Sequence, residues 1–167
     1  VTRLLAMGGR CLDVGCGSSR IISALPPGSL ALDILLRKLR FARAYGKPVV
    51  QGSLFHLPVA AASFPCVLCS QVIEHVPRPG ALEELDRALA PGGLLILGTP
   101  DYGKWQWRVI EWFYQRLLPQ AYADEHITHY QYTDLYDEFV QRRCYELETV
   151  DYILGGELIL GLRKPLP

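Results

Sequence analysis

The chain has 167 residues, half of them hydrophobic, which suits one domain with a single core and excludes a disordered tail. Its 17 basic and 17 acidic side chains give a net charge of 17 − 17 = 0, so no overall field draws in nucleic acid. No apolar run approaches the ~20 residues of a bilayer span, and no signal-peptide pattern opens the chain. The five cysteines are an odd number. Cys66 and Cys69 form one C-x-x-C without the second pair a zinc site needs, and within Cys66-Val67-Leu68-Cys69 they read as small buried hydrophobes suited to a reducing cytoplasm.

In chain order, Cys11 to Val14 predicts a short strand cut off by Gly15-Cys16-Gly17. Arg20 to Leu25 predicts a short helical stretch ended by Pro26-Pro27-Gly28, and Leu30 to Asp33 a second strand. Leu35 to Tyr45 has helical character, with Gly46 and Pro48 as stop signals and Arg37, Lys38, Arg40 and Arg43 as its wet face. Val49 to Gln51 is a third strand and Pro65 to Cys69 a fourth, apolar throughout and so expected to be buried on both faces. Leu82, Leu85 and Leu89 give Gly80 to Ala90 a helical period, stopped by Pro91-Gly92-Gly93, and Leu94 to Thr99 is a fifth strand. Leu147 to Leu154 and Glu157 to Leu162, joined at Gly155-Gly156, read as an antiparallel hairpin. Strands alternating with helices predict a doubly wound α/β domain, its parallel sheet covered on both faces.

In such sheets ligands bind beyond the carboxyl ends of the strands. After the first strand, Gly15 and Gly17 allow a tight turn and close backbone approach, but Arg20 stands where a nicotinamide fingerprint wants a third glycine. Asp33, 18 residues after Gly15, ends the second strand where a carboxylate can accept both hydroxyls of a ribose. It can also cap the helix that follows, and the two roles can coexist.

The segments Cys11 to Gly17, Asp33, Gly52-Ser53-Leu54-Phe55-His56-Leu57-Pro58, Ser63-Phe64, Val72-Ile73-Glu74-His75-Val76 and Leu89 to Gly93 through Thr99-Pro100 together resemble the class I S-adenosylmethionine-dependent methyltransferases. The likeness is to the small-molecule branch that includes ubiquinone and menaquinone biosynthesis enzymes, and it spans roughly residues 10 to 163. It implies a Rossmann-like, seven-stranded, mostly parallel sheet with an antiparallel hairpin, and S-adenosylmethionine as cofactor. It implies further that Asp13, Gly15, Cys16 and Gly17 line the cofactor's methionine end, that Asp33 holds the ribose with Ile34 on the adenine, and that Ser53 and Leu54 flank the adenine. Gln71 and Val72 would lie beside the reactive methyl. Ser53 stands where the family usually has Asp, Ser19 where it has a third glycine, and Pro65 where an Asp follows the Ser-Phe pair. Proteins of this kind usually carry one or two helices before the first strand; only Val1 to Arg10 precede it here, so a truncated front cap is expected.

Residues 101 to 133 form a long insertion rich in Trp105, Trp107, Trp112, Phe113 and Tyr114, followed by Asp124-Glu125-His126-Ile127-Thr128-His129. It reads as a lid over an apolar acceptor pocket, or as a helix covering sheet and open to a second subunit as a homodimer contact. His126 and His129, three apart, would share a face on a helix and are the candidate bases for a hydroxyl acceptor. In some quinone-pathway relatives a Glu-His pair like Glu74-His75 holds a divalent cation with a carboxylate three residues earlier; that position is Gln71 here, so no metal is expected. Glu74 and His75 are read as beginning the next connection and helping to shape the cofactor pocket. The expected activity is methyl transfer to a small-molecule acceptor, oxygen favoured over carbon or nitrogen. The alternative is a methyltransferase-like module that binds the nucleoside cofactor or a partner protein without turnover.

Overall fold

The computed structural model describes residues 1–77, 80–117 and 126–167. Seven strands form one sheet in the order β3-β2-β1-β4-β5-β7-β6. They are β1 (Cys11–Val14), β2 (Leu30–Asp33), β3 (Val49–Gln51), β4 (Phe64–Ser70), β5 (Leu89–Pro100), β6 (Glu146–Ile153) and β7 (Glu157–Arg163). The first five pair in parallel, and β7 enters antiparallel between β5 and β6. The fold is therefore the Rossmann-like, mostly parallel sheet with an antiparallel end.

The continuous apolar runs explain why the middle strands are central. Along β4, Cys66 and Leu68 face one layer of the core while Val67 and Cys69 face the other, and the runs of β5 and β7 divide in the same way. A strand with no polar face needs cover on both sides. One cover is α3 (Ala81–Ala88) with Leu85, joined by Leu135 and Phe139 of α5 (Tyr132–Tyr136) and its wider-turned continuation Asp137–Arg142. The other is Leu4 and Leu5 of α1 (Thr2–Gly8), Ile22 of the short 3₁₀ turn Arg20–Ala24, and Leu39 and Ala42 of α2 (Leu36–Ala44). The residues before β1 thus form a helix of their own.

One boundary differs from the sequence expectation. Pro91-Gly92-Gly93 does not separate a helix from β5 but lies within the strand, which begins at Leu89. Leu89 pairs with Phe64 and the ladder resumes at Leu94 opposite Cys66, so the Pro-Gly-Gly step is an irregularity in the register, with Gly92 at φ +70°. A proline without an N–H and a glycine in the left-handed region suit a bulge better than a straight ladder.

The insertion after β5 is anchored at both ends by Asp101, which is buried. Its Oδ1 accepts from the backbone N–H of Gly103 (2.9 Å) and of Tyr132 (3.4 Å), and its Oδ2 from the Tyr152 hydroxyl (2.8 Å). Tyr102 N–H donates to the Tyr130 carbonyl across the same gap. Between these ends runs α4 (Trp105–Leu117). Residues 118–125, including Asp124 and Glu125, and the Tyr114 side chain lie outside the described residues.

Ile96, fully buried in β5, touches the layer that holds α1 and α2. Truncation there leaves a cavity that the flanking strands cannot collapse to fill. Ile96→Ala is expected to cost about 2–5 kcal/mol, read from the shift in urea unfolding at constant m-value; a loss below about 1 kcal/mol would contradict this picture of the core.

Candidate active site

The strand order reverses between β1 and β4: the chain moves outward from β1 to β3, then returns to β1's other side with β4. Adjacent connections leave in opposite directions there and open a crevice at the carboxyl ends. A cleft of about 550 Å³ occupies that place. Its walls come from the turn after β1, the residues following β2 and β3, and the 3₁₀ turn Ile73–His75 after β4.

Gly15 and Gly17 shape the first wall. Their φ values are +72° and +55°, and a Cβ on Gly15 would stand 2.3 Å from Val72 Cγ2, so this position needs glycine for both conformation and space. The Leu32 carbonyl accepts from Gly15 N–H (2.8 Å) and Cys16 N–H (2.9 Å), tying the turn to β2. Asp33 completes the tie: Oδ2 accepts from Gly17 N–H (2.9 Å) and Oδ1 from Leu35 N–H (2.8 Å) at the start of α2. Leu35, not Asp33, is the cap residue of α2, and no side chain caps that helix. Asp33 orders the approach turn instead, and each of its oxygens retains a further acceptor position.

Gly15, Gly17, Asp33, Ile34, Ser53, Leu54, Gln71 and Val72 all line the cleft. Ile34 is exposed at its mouth. Ser53 Oγ accepts from Phe55 N–H (3.2 Å), so the residue in the family's Asp position shapes its own turn. Gln71 is held with φ +57°, strained for a residue bearing a Cβ, and its Nε2 donates to Glu157 Oε1 (3.2 Å). Cys16 departs from the expectation. Its thiol packs in the core layer with Ile22 and Ala31 instead of on the cleft wall, and burial with the nearby carboxylates pushes its pKa up to about 12. Asp13 lies buried behind the cleft, its pKa pushed up to about 7 by desolvation and then by the Asp33 charge.

On the far wall the cleft meets His75, in the connection after β4. The His126 ring stands edge-on to it with centroids 4.8 Å apart, and the Tyr102 hydroxyl and His126 Nδ1 are hydrogen bonded at 2.5 Å. Trp107 stacks on His126 from the other side. His126 and His129 share no helix: residues 126–130 are non-helical, and His129 stacks on Tyr102 (4.1 Å between centroids) at the surface instead. Consecutive backbone hydrogen bonds fix that geometry, because the Glu74 carbonyl accepts from both Ile127 N–H (2.8 Å) and Thr128 N–H (2.9 Å), and Thr128 Oγ1 donates to the Val76 carbonyl (2.6 Å). The α4 face that bears Trp105, Trp112 and Phe113 is exposed, so of the lid's tryptophans only Trp107 turns inward.

Glu74 itself is fully buried. Its Oε2 accepts from Thr99 Oγ1 (3.2 Å), while Oε1, like the Trp107 indole N–H, has no protein partner among the described residues. Burial pushes its pKa up to about 7, against lowering by its own backbone, by His75 and by Thr99. Glu74, His75 and His126 offer donor atoms within 4.8 Å of one another. That spread is looser than the roughly 3.4 Å edge of a tetrahedral site with ~2.1 Å bonds, so the three side chains as placed do not close a tetrahedral cation site.

A glycine turn tied to an acidic strand end, at the switch point of a mixed seven-stranded sheet, defines an α/β protein built to hold a ligand beyond its strand ends. The family described as "Methyltransferase domain" matches residues 12–97. An uncharacterized methyltransferase of Bacillus subtilis, YodH, is 31% identical over 136 residues, covering 76% of this chain and 53% of its own length. The ubiquinone biosynthesis O-methyltransferase of Xanthomonas oryzae is 34% identical over 108 residues, 58% of this chain and 45% of its own. An S-adenosylmethionine-dependent methyltransferase structure from Thermotoga maritima superposes with a TM-score of 0.77 at 20% identity, over 98% of this chain and 86% of that one. The chain belongs to the class I S-adenosylmethionine-dependent methyltransferases. It spans between 31% and 53% of the length of the first curated relatives it matches.

Asp13 and Glu74 also set a pH dependence. Both have folded-state pKa values near 7, above those of an unfolded chain. Their contribution to stability is complete below about pH 4 and is lost as pH rises through about 7. Unfolding free energy of the ligand-free protein should therefore fall between about pH 4.5 and 7.5, measured by urea titration across that range. Asp13→Asn should flatten the fall and leave the variant more stable than its parent at pH 8, by about 2–4 kcal/mol. An unchanged slope would refute the raised pKa.

Proposed function

We propose that this chain transfers a methyl group from S-adenosylmethionine to a hydroxyl oxygen of a small-molecule acceptor. The observation that carries the reading is one cleft with the Asp33 carboxylate on one wall, Asp13 buried behind it, and an imidazole, His75, on the other wall. The donor set fits a cationic, ribose-bearing cofactor. Asp13, behind Gly15 and Gly17, offsets the positive methionine end, and Asp33 has acceptor positions left for the ribose hydroxyls. Ile34 and Leu54 supply apolar surface for the adenine, with Ser53 at its edge, and Gln71 and Val72 border the reacting end.

When bound, the cofactor supplies a methyl group already activated on sulfonium, so the protein's share is orientation and exclusion of water. A hydroxyl acceptor must also give up its proton as the oxygen–carbon bond forms. His75 is the imidazole on the cleft wall and is placed to receive it. His126, packed against His75 and hydrogen bonded to Tyr102, spreads and orients that charge. Glu74 Oε1 and the Trp107 N–H, both without protein partners among the described residues, support polar ligand chemistry around His126. The preference for oxygen is supported by the likeness to a ubiquinone biosynthesis O-methyltransferase.

Titration calorimetry with S-adenosylmethionine, paired with radiolabelled methyl transfer to catechol-type acceptors, tests the assignment. Asp33→Ala should weaken cofactor binding by at least about a hundredfold, or ~2.7 kcal/mol. His126→Ala should keep binding within about threefold and lower turnover by about tenfold, less than the roughly hundredfold or greater loss expected on removing the His75 base itself. Failure of the parent chain to bind the cofactor would overturn the reading, and equal loss of binding in both variants would overturn the separate roles.

A further inference from the structure

We infer that the outer face of α4 is a docking surface for an anionic lipid bilayer, which lays this helix in the headgroup layer beside the cleft. The helix shows its polarity the wrong way round for a surface helix of a globular protein. Trp105, Val109, Trp112, Phe113 and Leu117 follow the i, i+4, i+7, i+8, i+12 spacing of one helical face, yet all five are exposed, Trp105 by 68% and Leu117 by 73%. The inward side is held by Trp107, only 5% exposed and packed on Tyr102 and His126. The tip of the β6–β7 hairpin abuts the first turn of α4, with Gly155 against Gln106 and Gly156 against the Trp107 backbone, and it brings the exposed Leu154 to the same region. An apolar surface of this extent marks an interaction site on a folded domain.

Shape and charge select the occupant. A single convex helix offers no groove for a peptide, whereas a bilayer interface accepts a convex apolar arc lying in its plane. Residues 104 to 117 carry Lys104, Arg108 and Arg116 against the lone acid Glu111, a local excess of two positive charges in a chain of zero net charge. The Arg116 guanidinium lies over the Trp112 ring, 5.5 Å from its centroid, where a cation can meet headgroups while the ring enters the apolar boundary. A second copy of the chain is the weaker occupant, since two-fold pairing sets the same basic helix against itself. The inference does not rest on methyl transfer. If both hold, the insertion that carries His126 also carries the membrane contact, and the acceptor comes from the lipid phase.

Co-sedimentation of the whole chain with vesicles of phosphatidylcholine, alone or mixed with phosphatidylglycerol, tests this without any activity measurement. Binding should be at least tenfold stronger to the mixed vesicles, should weaken with added salt, and should shift tryptophan emission to the blue. The double substitution Trp112→Ser and Phe113→Ser should lose binding at least tenfold without a change in circular dichroism or melting temperature, because both side chains are exposed. Arg108→Gln with Arg116→Gln should reduce binding to the phosphatidylcholine level. Absence of vesicle binding, or equal binding to the two compositions, would overturn the inference. So would a concentration-dependent dimer abolished by the serine substitutions with no affinity for vesicles.

Discussion

The burial of Asp13 beside Asp33 is the constraint around which the cleft is organised. Strand β1 ends in one carboxylate and its neighbour β2 in another, and neither is free in solvent. Burial makes ionisation of Asp13 costly, and the Asp33 charge makes it costlier. The backbone answers for Asp33 alone, with N–H groups of Gly17 and Leu35 directed at its two oxygens. Asp33 thus has both oxygens engaged by the backbone, while Asp13, its pKa pushed up to about 7, has its charged form favoured when positive charge arrives. A site arranged this way favours a cation over a neutral or anionic ligand of similar shape, and it does so from beneath the floor of the cleft.

A second set of restraints works from the opposite side. The Glu74 carbonyl gathers the returning strand of the insertion, and Asp101 gathers its two ends. Together they place His126 behind His75 and aim Trp107 inward, although the opposite face of α4 is exposed. The His75 side of the cleft is therefore built from residues far apart in sequence, held by backbone hydrogen bonds at Glu74 and Asp101. Such geometry is rigid where the donors are paired, and tolerant of substitution along the exposed helix between.

The sheet was legible because its signals are local. Uninterrupted apolar runs at Cys66 to Cys69 and Leu94 to Leu97 can only be satisfied by cover on both faces, and the structure has that cover. Glycine at 15 and 17 and the acid at 33 were likewise readable, since the strand ends dictate where they stand. The Pro91-Gly92-Gly93 step misled because a helix stop and a strand bulge draw on the same residues. His126 and His129 misled because a spacing of three has meaning only on a helix, and that segment is held extended by Glu74. Cys16 was wrongly placed on the cleft wall for a related reason. Which way a turn residue points is decided by packing from other elements, and no local pattern encodes it.

The position of β7 has a consequence for how the molecule reaches this state. The strand pairs with β5 on one side and β6 on the other, so the sheet's interior contains a segment made some sixty residues after the partner it shields. A nascent chain that has produced β5 carries an open, wholly apolar edge, and that edge stays bare while the insertion and α5 are synthesised. Contacts of such sequence separation slow folding, and an unpaired edge invites association with other chains in the meantime. For this protein the hazard of misassembly is concentrated in the interval between those two strands, because α1 and α3, both made earlier, cover the two faces of β5 and leave its edge bare.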